Sequence, residues 1–122
     1  MATIMIVDDS NYTRRTHRRI LESDGHTVVE ASSGMAAIEG YFVHRPDLMV
    51  LDLTMEDIGG IEVLERLREL NAAARVIVVS ADVQRSTAKM VADAGALRFL
   101  GKPVSPEALL EAIREALAES VS

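Results

Sequence analysis

The sequence predicts an α/β domain in which a doubly wound, five-stranded parallel sheet is covered by helices on both faces. Five apolar segments of strand length alternate with stretches whose apolar residues recur at helical spacing. Three of these strands are almost continuously apolar, which indicates a sheet buried on both faces, because a sheet with one exposed face would alternate. The predicted strands are TIMIV (3–7), TVVE (27–30), LMVL (48–51), RVIVV (75–79) and LRFL (97–100).

The predicted helices lie between the strands and after the last one. Their apolar positions include Ile61, Leu64 and Leu67 in the third helix and Leu109, Leu110, Ile113 and Leu117 in the fifth. Residues that cap or end helices agree with this division. They are Ser10 at the start of the first helix, Gly25 at its end, Pro46 after the second, Gly95 after the fourth, and Ser105 with Pro106 at the start of the fifth.

The composition limits the range of functions. The 122 residues are 48% hydrophobic and 26% charged, so one domain is expected over 1–122, with a core from 3 to 119 and no output domain. A net charge of −6 argues against direct nucleic-acid binding. The absence of cysteine excludes disulfides, cysteine metal sites and cysteine nucleophiles. Because no leader or apolar run of membrane length is evident, we expect no membrane insertion and a cytoplasmic location.

Polar and charged residues follow four of the predicted strands, at the edge where a doubly wound sheet binds ligands. Asp8 and Asp9 follow the first strand, and Asp52 follows the third. Ser80 follows the fourth strand and Lys102 follows the fifth. Three crowded carboxylates raise one another's pKa values unless a divalent cation and an ammonium neutralise them. Such oxygen ligands suit Mg²⁺, and together with the hydroxyl and the amine they are the groups needed for phosphoryl transfer.

Each of these residues also has a purely structural interpretation. Asp8 and Asp9 could be acids at a helix N-terminus, Asp52 a turn residue and Ser80 a helix cap. These interpretations explain the residues one at a time. A common function explains why all of them lie at one edge of the sheet.

The chain resembles the receiver domain of bacterial two-component response regulators in four motifs. They are VDDS at 7–10, LDLTM at 51–55, SA at 80–81 and KP at 102–103. The resemblance extends over residues 3 to 119 and depends on the order and spacing of the motifs within the repeated β/α pattern. It implies a flavodoxin-like receiver fold with strand order 2-1-3-4-5. The segment VDDSNYTRR is most similar to single-domain regulators of the chemotaxis type.

The resemblance implies that Asp52 accepts a phosphoryl group from a sensor histidine kinase or a histidine phosphotransfer protein. It also implies that Asp9, Asp52 and the backbone carbonyl of Thr54 ligate Mg²⁺ directly. Asp8 would belong to the same metal site by holding the water shell of the ion. Such a chain is a phosphoacceptor regulator and not an enzyme, since its only reactions are its own phosphorylation and dephosphorylation.

The same resemblance implies a conformational switch. Ser80 and Lys102 would each bind a phosphoryl oxygen, and a cis peptide before Pro103 would direct the amine inward. Phosphorylation would draw Ser80 inward and let Phe99 rotate, which reshapes the surface of helix 4, strand 5 and helix 5. A downstream protein of unknown identity would bind this surface, and the chain would be a monomer or a weak phosphorylation-dependent dimer. Simple packing in an edge strand is an equally good interpretation of a lone aromatic residue such as Phe99.

The loop after Asp52 departs from the pattern of the family. Receivers usually have Met-Pro there, whereas this chain has TMEDIGG, with Glu56 where the proline is expected. We therefore expect a more mobile loop or weaker preorganisation of the metal site, which Glu56→Pro should change. Thr54 and Asp82 are expected to flank the attacking water and to tune dephosphorylation. Asp82 could instead be an N-cap of helix 4.

The segment RRTHRR (14–19) is a basic exception in an acidic chain. It places Arg14, Arg15, Arg18 and Arg19 on one broad helical face. This face could meet an acidic patch on a phosphodonor, or it could be a solvated charged stripe. His17 is interpreted as a packed residue, since no second histidine lies near it in the sequence.

Two other functions remain open from the sequence. A haloacid-dehalogenase-type phosphatase also places a nucleophilic aspartate and Mg²⁺ at a strand end. That family requires a second aspartate two residues later, where this chain has Thr54, and it requires a longer chain with a cap. The other alternative is a receiver fold that acts as a scaffold without being controlled by phosphorylation.

Overall fold

The computed structural model describes residues 2–54 and 57–119, and the predicted fold is confirmed within them. Five parallel strands form one sheet in the order β2-β1-β3-β4-β5. The strands are β1 (Thr3–Val7), β2 (Thr27–Ala31), β3 (Leu48–Asp52), β4 (Val76–Ser80) and β5 (Arg98–Gly101). The helices are α1 (Asn11–Ser23), α2 (Gly34–His44), α3 (Gly60–Leu70), α4 (Arg85–Asp93) and α5 (Pro106–Ala118).

Alternate side chains of the sheet enter two separate cores. Met5 and Val7 of β1 pack on the side covered by α2, α3 and α4. Ile4 and Ile6 pack on the other side, against residues of α1 and α5. Every residue of β3 and β4 is buried, which explains their continuous apolar sequence. The exceptions to that apolar sequence are the last residues of the two strands, Asp52 and Ser80, and both are therefore held at the carboxyl edge.

The helix boundaries follow the residues that predicted them. Ser10 and Ser105 each accept a hydrogen bond from the backbone N–H three residues later, at 3.2 and 3.1 Å. Gly25 and Gly95 have φ values of 88° and 103°, a conformation that glycine adopts without strain. The second helix ends at His44, shortly before the proline at 46. Among the described residues, no helix has both the length and the hydropathy to cross a bilayer.

Candidate functional site

The carboxyl edge of the sheet brings together the predicted strand-end residues. Asp8 directly follows β1, and it is buried together with Asp52 and Ser80, with exposed fractions of 3%, 6% and 2%. Lys102 directly follows β5 and is partly buried. Asp9 is exposed at the rim. Two acids and a hydroxyl thus lie in a place where polar groups need partners.

Lys102 supplies the partner for both buried acids. Its Nζ lies 3.0 Å from Oδ2 of Asp8 and 3.3 Å from Oδ1 of Asp52. Burial disfavours the charged form of Lys102, but the hydrogen bond to Asp8 and the charge of Asp52 outweigh it and raise the pKa of Lys102. The ammonium is therefore fixed in its charged form between two carboxylates.

Asp52, in contrast to Lys102, lies where its charged form is disfavoured. Burial, and then the negative charge of Asp8, raise the pKa of Asp52. Lys102 and the backbone N–H of Thr54 act in the other direction without cancelling this effect. The environment of Asp52 thus disfavours its negative charge, which a further cation at the site would offset.

The acids are arranged so that they could share a cation. Asp8, Asp9 and Asp52 each offer a carboxylate oxygen, and these three oxygens lie within 4.8 Å of one another. Carboxylate oxygens are hard ligands of the type that Mg²⁺ takes, and one exposed member of the set leaves room for water. The donor chemistry of the residues present therefore fits a magnesium site.

The backbone around Asp8 is fixed by two further contacts. Its Oδ1 accepts a hydrogen bond from the N–H of Ser10 at 2.9 Å, and its carbonyl oxygen accepts one from Nη1 of Arg14 at 2.5 Å. Arg14 is itself held by Glu30, at 3.0 Å. The sequence analysis did not predict that Arg14 binds this loop. The one feature that points to it is the pairing of β1 with β2, which brings Glu30 near the loop.

The basic face predicted on α1 divides into two parts. Arg14 and Arg18 both bind Glu30, at 3.0 and 2.6 Å, so this half has a structural role. Arg15 and Arg19 are exposed and have no acidic partner among residues 2–54 and 57–119. Within the described part of the chain, only the second half of this face is therefore without an acidic partner.

A groove of about 510 Å³ lies beside Lys102, between α1 and the loop after β5. It is lined by Tyr12, Thr13, Thr16, His17, Ala81, Lys102, Pro103 and Val104. His17 is buried as predicted, and burial lowers its pKa, so its imidazole is neutral at pH 7. The Lys102–Pro103 peptide bond, at the rim of this groove, is cis.

Ser80 and Asp82 connect the site to α4. The hydroxyl of Ser80 accepts a hydrogen bond from the N–H of Asp82 at 3.0 Å. The carboxylate of Asp82 accepts bonds from the N–H of Gln84 at 3.0 Å and from the hydroxyl of Thr87 at 2.7 Å. The Thr87 hydroxyl, followed by the Gln84 N–H, lowers the pKa of Asp82. Asp82 thus holds the first turn of α4 from two residues before the N-cap, which is Gln84, so the interpretation of Asp82 as the N-cap itself was wrong.

The other two predicted residues lie outside the group of buried polar residues. Phe99 is half-buried in β5, is paired with Val78 and packs against the core on the α2 to α4 side. Thr54 is exposed, and its backbone N–H acts to lower the pKa of Asp52. Glu56 lies outside the described residues, so the effect of its replacing proline stays a prediction.

Asp57 is a structural residue that the sequence analysis missed. Its carboxylate accepts hydrogen bonds from the backbone N–H groups of Gly34 at 3.0 Å and Met35 at 2.9 Å. These bonds lower the pKa of Asp57 to about 2, and the bond from Met35 has the largest effect. The loop that follows Asp52 is therefore attached to the N-terminus of α2. No local sequence signal indicates a cap that comes from 23 residues away.

A doubly wound sheet with a buried acid pair and a bridging lysine at its carboxyl edge is the arrangement expected of a signal receiver. Residues 4–114 match the family model described as the response regulator receiver domain, and the chain belongs to that family. The family acts in phosphorylation-dependent two-component signalling and is generally regulatory rather than catalytic. Receiver domains typically bind Mg²⁺ at an acidic pocket, and the three aspartates form such a cluster here.

Known proteins resemble the chain over nearly its whole length. Chemotaxis protein CheY of Bacillus subtilis (strain 168) is 40% identical over 115 residues, which are 93% of this chain and 96% of that protein. A CheY-like receiver domain protein from Methanospirillum hungatei JF-1 has a TM-score of 0.91 at 29% identity, covering 96% and 94% of the two chains. The CheX-CheY-BeF3-Mg+2 complex from Borrelia burgdorferi contains a chain with a TM-score of 0.92 at 30% identity, covering 96% and 90%.

Proposed function

We propose that this chain takes a phosphoryl group from a phosphohistidine donor onto Asp52 and signals its state by binding a partner protein in the cytoplasm. The observation that carries this proposal is the position of Asp52, which is buried at the sheet edge 3.3 Å from the Lys102 ammonium. In the transfer, a carboxylate oxygen of Asp52 forms a bond to phosphorus as the nitrogen–phosphorus bond of the donor breaks. The donor imidazole keeps the electron pair of the broken bond.

Lys102 and Ser80 are proposed to bind the transferred group. The three phosphoryl oxygens carry the charge that develops during transfer, so fixed positive charge and hydroxyl donors next to them lower the barrier. Lys102 already lies against Asp52, and Ser80 is the last residue of the neighbouring strand β4. A phosphoryl group on Asp52 gives the ammonium a new anionic partner in place of the Asp52 carboxylate.

Asp8, Asp9 and Asp52 are proposed to hold Mg²⁺, with the carbonyl of Thr54 as a further ligand. When bound, the ion supplies positive charge that offsets both the acidic cluster and the phosphoryl oxygens. The three aspartates fit this role because their oxygens lie within 4.8 Å of one another. The raised pKa of Asp52 agrees with a site that is short of positive charge.

The donor is proposed to dock on the α1 side of the site. The groove beside Lys102 offers an apolar binding surface that is partly formed by α1. Arg15 and Arg19 are exposed on this helix. We expect a sensor kinase or phosphotransfer protein that presents an apolar helix face with acidic residues at its margin. Arg14 and Arg18 contribute little to such docking, since Glu30 already binds them.

The output is proposed to pass through Ser80 to the surface of α4, β5 and α5. When Ser80 turns toward a phosphoryl oxygen, its bond from the N–H of Asp82 must lengthen or break. Asp82 holds the first turn of α4 through Thr87, so the shift is transmitted to that helix. Phe99, half-buried in the adjacent strand, is placed to repack in response.

The experiment is labelling of the whole chain by a small phosphodonor such as phosphoramidate, followed by intact mass. We expect one added phosphoryl group, dependent on Mg²⁺ and lost in Asp52→Asn. Asp93→Asn is the matched control, because Asp93 is exposed on α4 and pairs only with Lys89 among the described residues. Equal labelling of the Asp52→Asn variant and the wild type would refute the proposal.

A further inference from the structure

The base of the loop after β3 is fixed at the edge of the sheet. The N–H of Leu53 donates a hydrogen bond to the carbonyl oxygen of Val79 at 3.3 Å, and the carbonyl oxygen of Leu53 accepts one from the N–H of Gly60 at 3.0 Å. A Cβ atom at Gly60 would lie 2.8 Å from the carbonyl oxygen of Asp52, so the two ends of the loop are in close contact. Thr54, the proposed Mg²⁺ ligand, directly follows this fixed base.

The outer part of the same loop is fixed to a different element, the N-terminus of α2. The carboxylate of Asp57, three residues after Thr54, accepts hydrogen bonds from the N–H groups of Gly34 at 3.0 Å and Met35 at 2.9 Å. These N–H groups belong to the first turn of the helix, where they lack helical acceptors and the helix dipole favours a negative charge. Hydrogen bonds to a carboxylate are stronger than those between neutral groups, and the lowered pKa of Asp57 reflects them.

Side-chain packing supports this attachment. Ile58, the residue after Asp57, is partly buried against the core on the side of α2 and α3. A Cβ atom at Gly34 would overlap Cγ1 of Ile58, so the loop lies directly against the backbone of α2. Thr54 therefore belongs to a short span of chain between two fixed points, Leu53 and Asp57. Few backbone conformations can join fixed points that are so close in the chain.

We propose that Asp57 is a positioning residue of the metal site, which holds the loop that carries Thr54 by binding the N-terminus of α2. The inference rests on the proposed function, in which the carbonyl of Thr54 is a ligand of Mg²⁺. Without the bonds to α2, the loop is held chiefly at its base, and Thr54 samples more conformations. Mg²⁺ then binds only the fraction of molecules in which this ligand is in place, which weakens the apparent affinity.

The attachment also links the metal site to α2. Because the ordered loop includes the bonds from Gly34 and Met35 to Asp57, an ion that favours the ordered loop favours these bonds by the same free energy. Mg²⁺ alone should therefore slow amide exchange at Gly34 and Met35, although neither residue is a proposed ligand. In Asp57→Ala, Mg²⁺ should leave the exchange of both amides unchanged.

The test is an NMR titration of the whole chain with Mg²⁺ alone, which follows amide shifts at the carboxyl edge of the sheet. We expect Asp57→Ala to raise the Kd for Mg²⁺ about three- to tenfold. Asp57→Asn keeps one acceptor oxygen, so its Kd should lie between those of the wild type and Asp57→Ala.

Ser33→Ala is the matched control for a loss of stability in α2. The hydroxyl of Ser33 caps the same end of this helix by accepting a hydrogen bond from the N–H of Ala36 at 3.1 Å, and this bond does not involve the loop. The variant should melt at a lower temperature than the wild type, because it lacks a cap. Its Kd for Mg²⁺ should equal that of the wild type.

Four results would overturn this inference and leave the proposed function intact. An unchanged Kd in Asp57→Ala shows that the attachment has no part in metal binding. Equal increases in Asp57→Asn and Asp57→Ala assign the effect to the lost charge, and an equal increase in Ser33→Ala assigns it to the stability of α2. Amide exchange at Gly34 and Met35 that Mg²⁺ leaves unchanged in the wild type excludes the link. A wild type that does not bind Mg²⁺ overturns the proposed metal site and this inference with it.

Discussion

The ammonium nitrogen of Lys102 lies 3.0 Å from Oδ2 of Asp8, although the two residues are 94 positions apart in the chain. The contact spans the carboxyl edge of the sheet, from the loop after β1 to the loop after β5. Asp52, at the end of β3, lies between these loops, 3.3 Å from the same nitrogen. Lys102 is thus the group whose removal should most disturb the electrostatics of the site.

Replacing Lys102 by methionine should destabilise the protein. The substitution keeps most of the side-chain volume but leaves Asp8 and Asp52 buried without a cation. Since Lys102 is partly exposed, we expect a loss of about 1–3 kcal/mol in the free energy of unfolding at pH 7 without Mg²⁺. Urea denaturation measures this loss. The control is Lys89→Met, which removes the exposed ion pair with Asp93 on α4 and should lower the free energy of unfolding by less than about 0.5 kcal/mol. Equal losses in the two variants would contradict the account.

Replacing Asp52 by asparagine should stabilise the protein in the absence of Mg²⁺. The pKa of Asp52 is raised by burial and by the charge of Asp8, so the ionised form costs the folded state free energy. This penalty is present above the folded pKa and absent below the unfolded value of 3.8. The gain in melting temperature should therefore be seen at pH 7 and disappear as the pH falls below 3.8. A variant that is less stable than the wild type at pH 7 would refute this.

Asp57 should give the opposite pH dependence. In the folded protein, backbone N–H groups, chiefly those of Met35 and Gly34, donate hydrogen bonds to the Asp57 carboxylate. They lower its pKa from 3.8 to about 2. The stabilisation is therefore complete above pH 3.8 and is lost as the pH falls toward 2. Asp57→Ala should melt at a lower temperature than the wild type at pH 7, and the difference should shrink through this window. A difference that is constant with pH would show that the charge is irrelevant.

Asp82→Ala and Thr87→Val should both loosen the first turn of α4, and Asp82→Ala should do so more because it also removes the bond from the N–H of Gln84. Each removes the 2.7 Å hydrogen bond between these side chains, so amide exchange in the first turn of α4 should accelerate in both. The lifetime of the phosphoryl group separates two roles of Asp82. If its charge acts on the attacking water, only Asp82→Ala changes the decay rate. If neither variant changes the decay rate, Asp82 has no part in dephosphorylation.

The sequence was sufficient for the fold because local patterns and sheet topology agree. Continuous apolar runs such as LMVL (48–51) indicate a sheet covered on both faces, and the ends of parallel strands meet at one edge. The order of residues along the chain is therefore enough to place Asp8, Asp52, Ser80 and Lys102 together.

The contacts that support the site could not be found in this way. Arg14 binding the carbonyl of Asp8 and Asp57 capping α2 depend on how loops and helices pack, which no local pattern specifies. The outward orientation of Phe42 was also missed. Spacing alone suggests that Phe42 packs against the sheet, whereas Tyr41 is the residue that is buried and Phe42 faces outward.

The central claim is that Asp52 is the residue that carries the phosphoryl group, and peptide mapping tests it most directly. The chain is phosphorylated by a small phosphodonor with Mg²⁺, reduced with borohydride to convert the aspartyl phosphate to homoserine, digested and sequenced by mass spectrometry. We predict homoserine at position 52 and at neither Asp8 nor Asp9. Conversion of either of those aspartates, with Asp52 intact, would contradict the account.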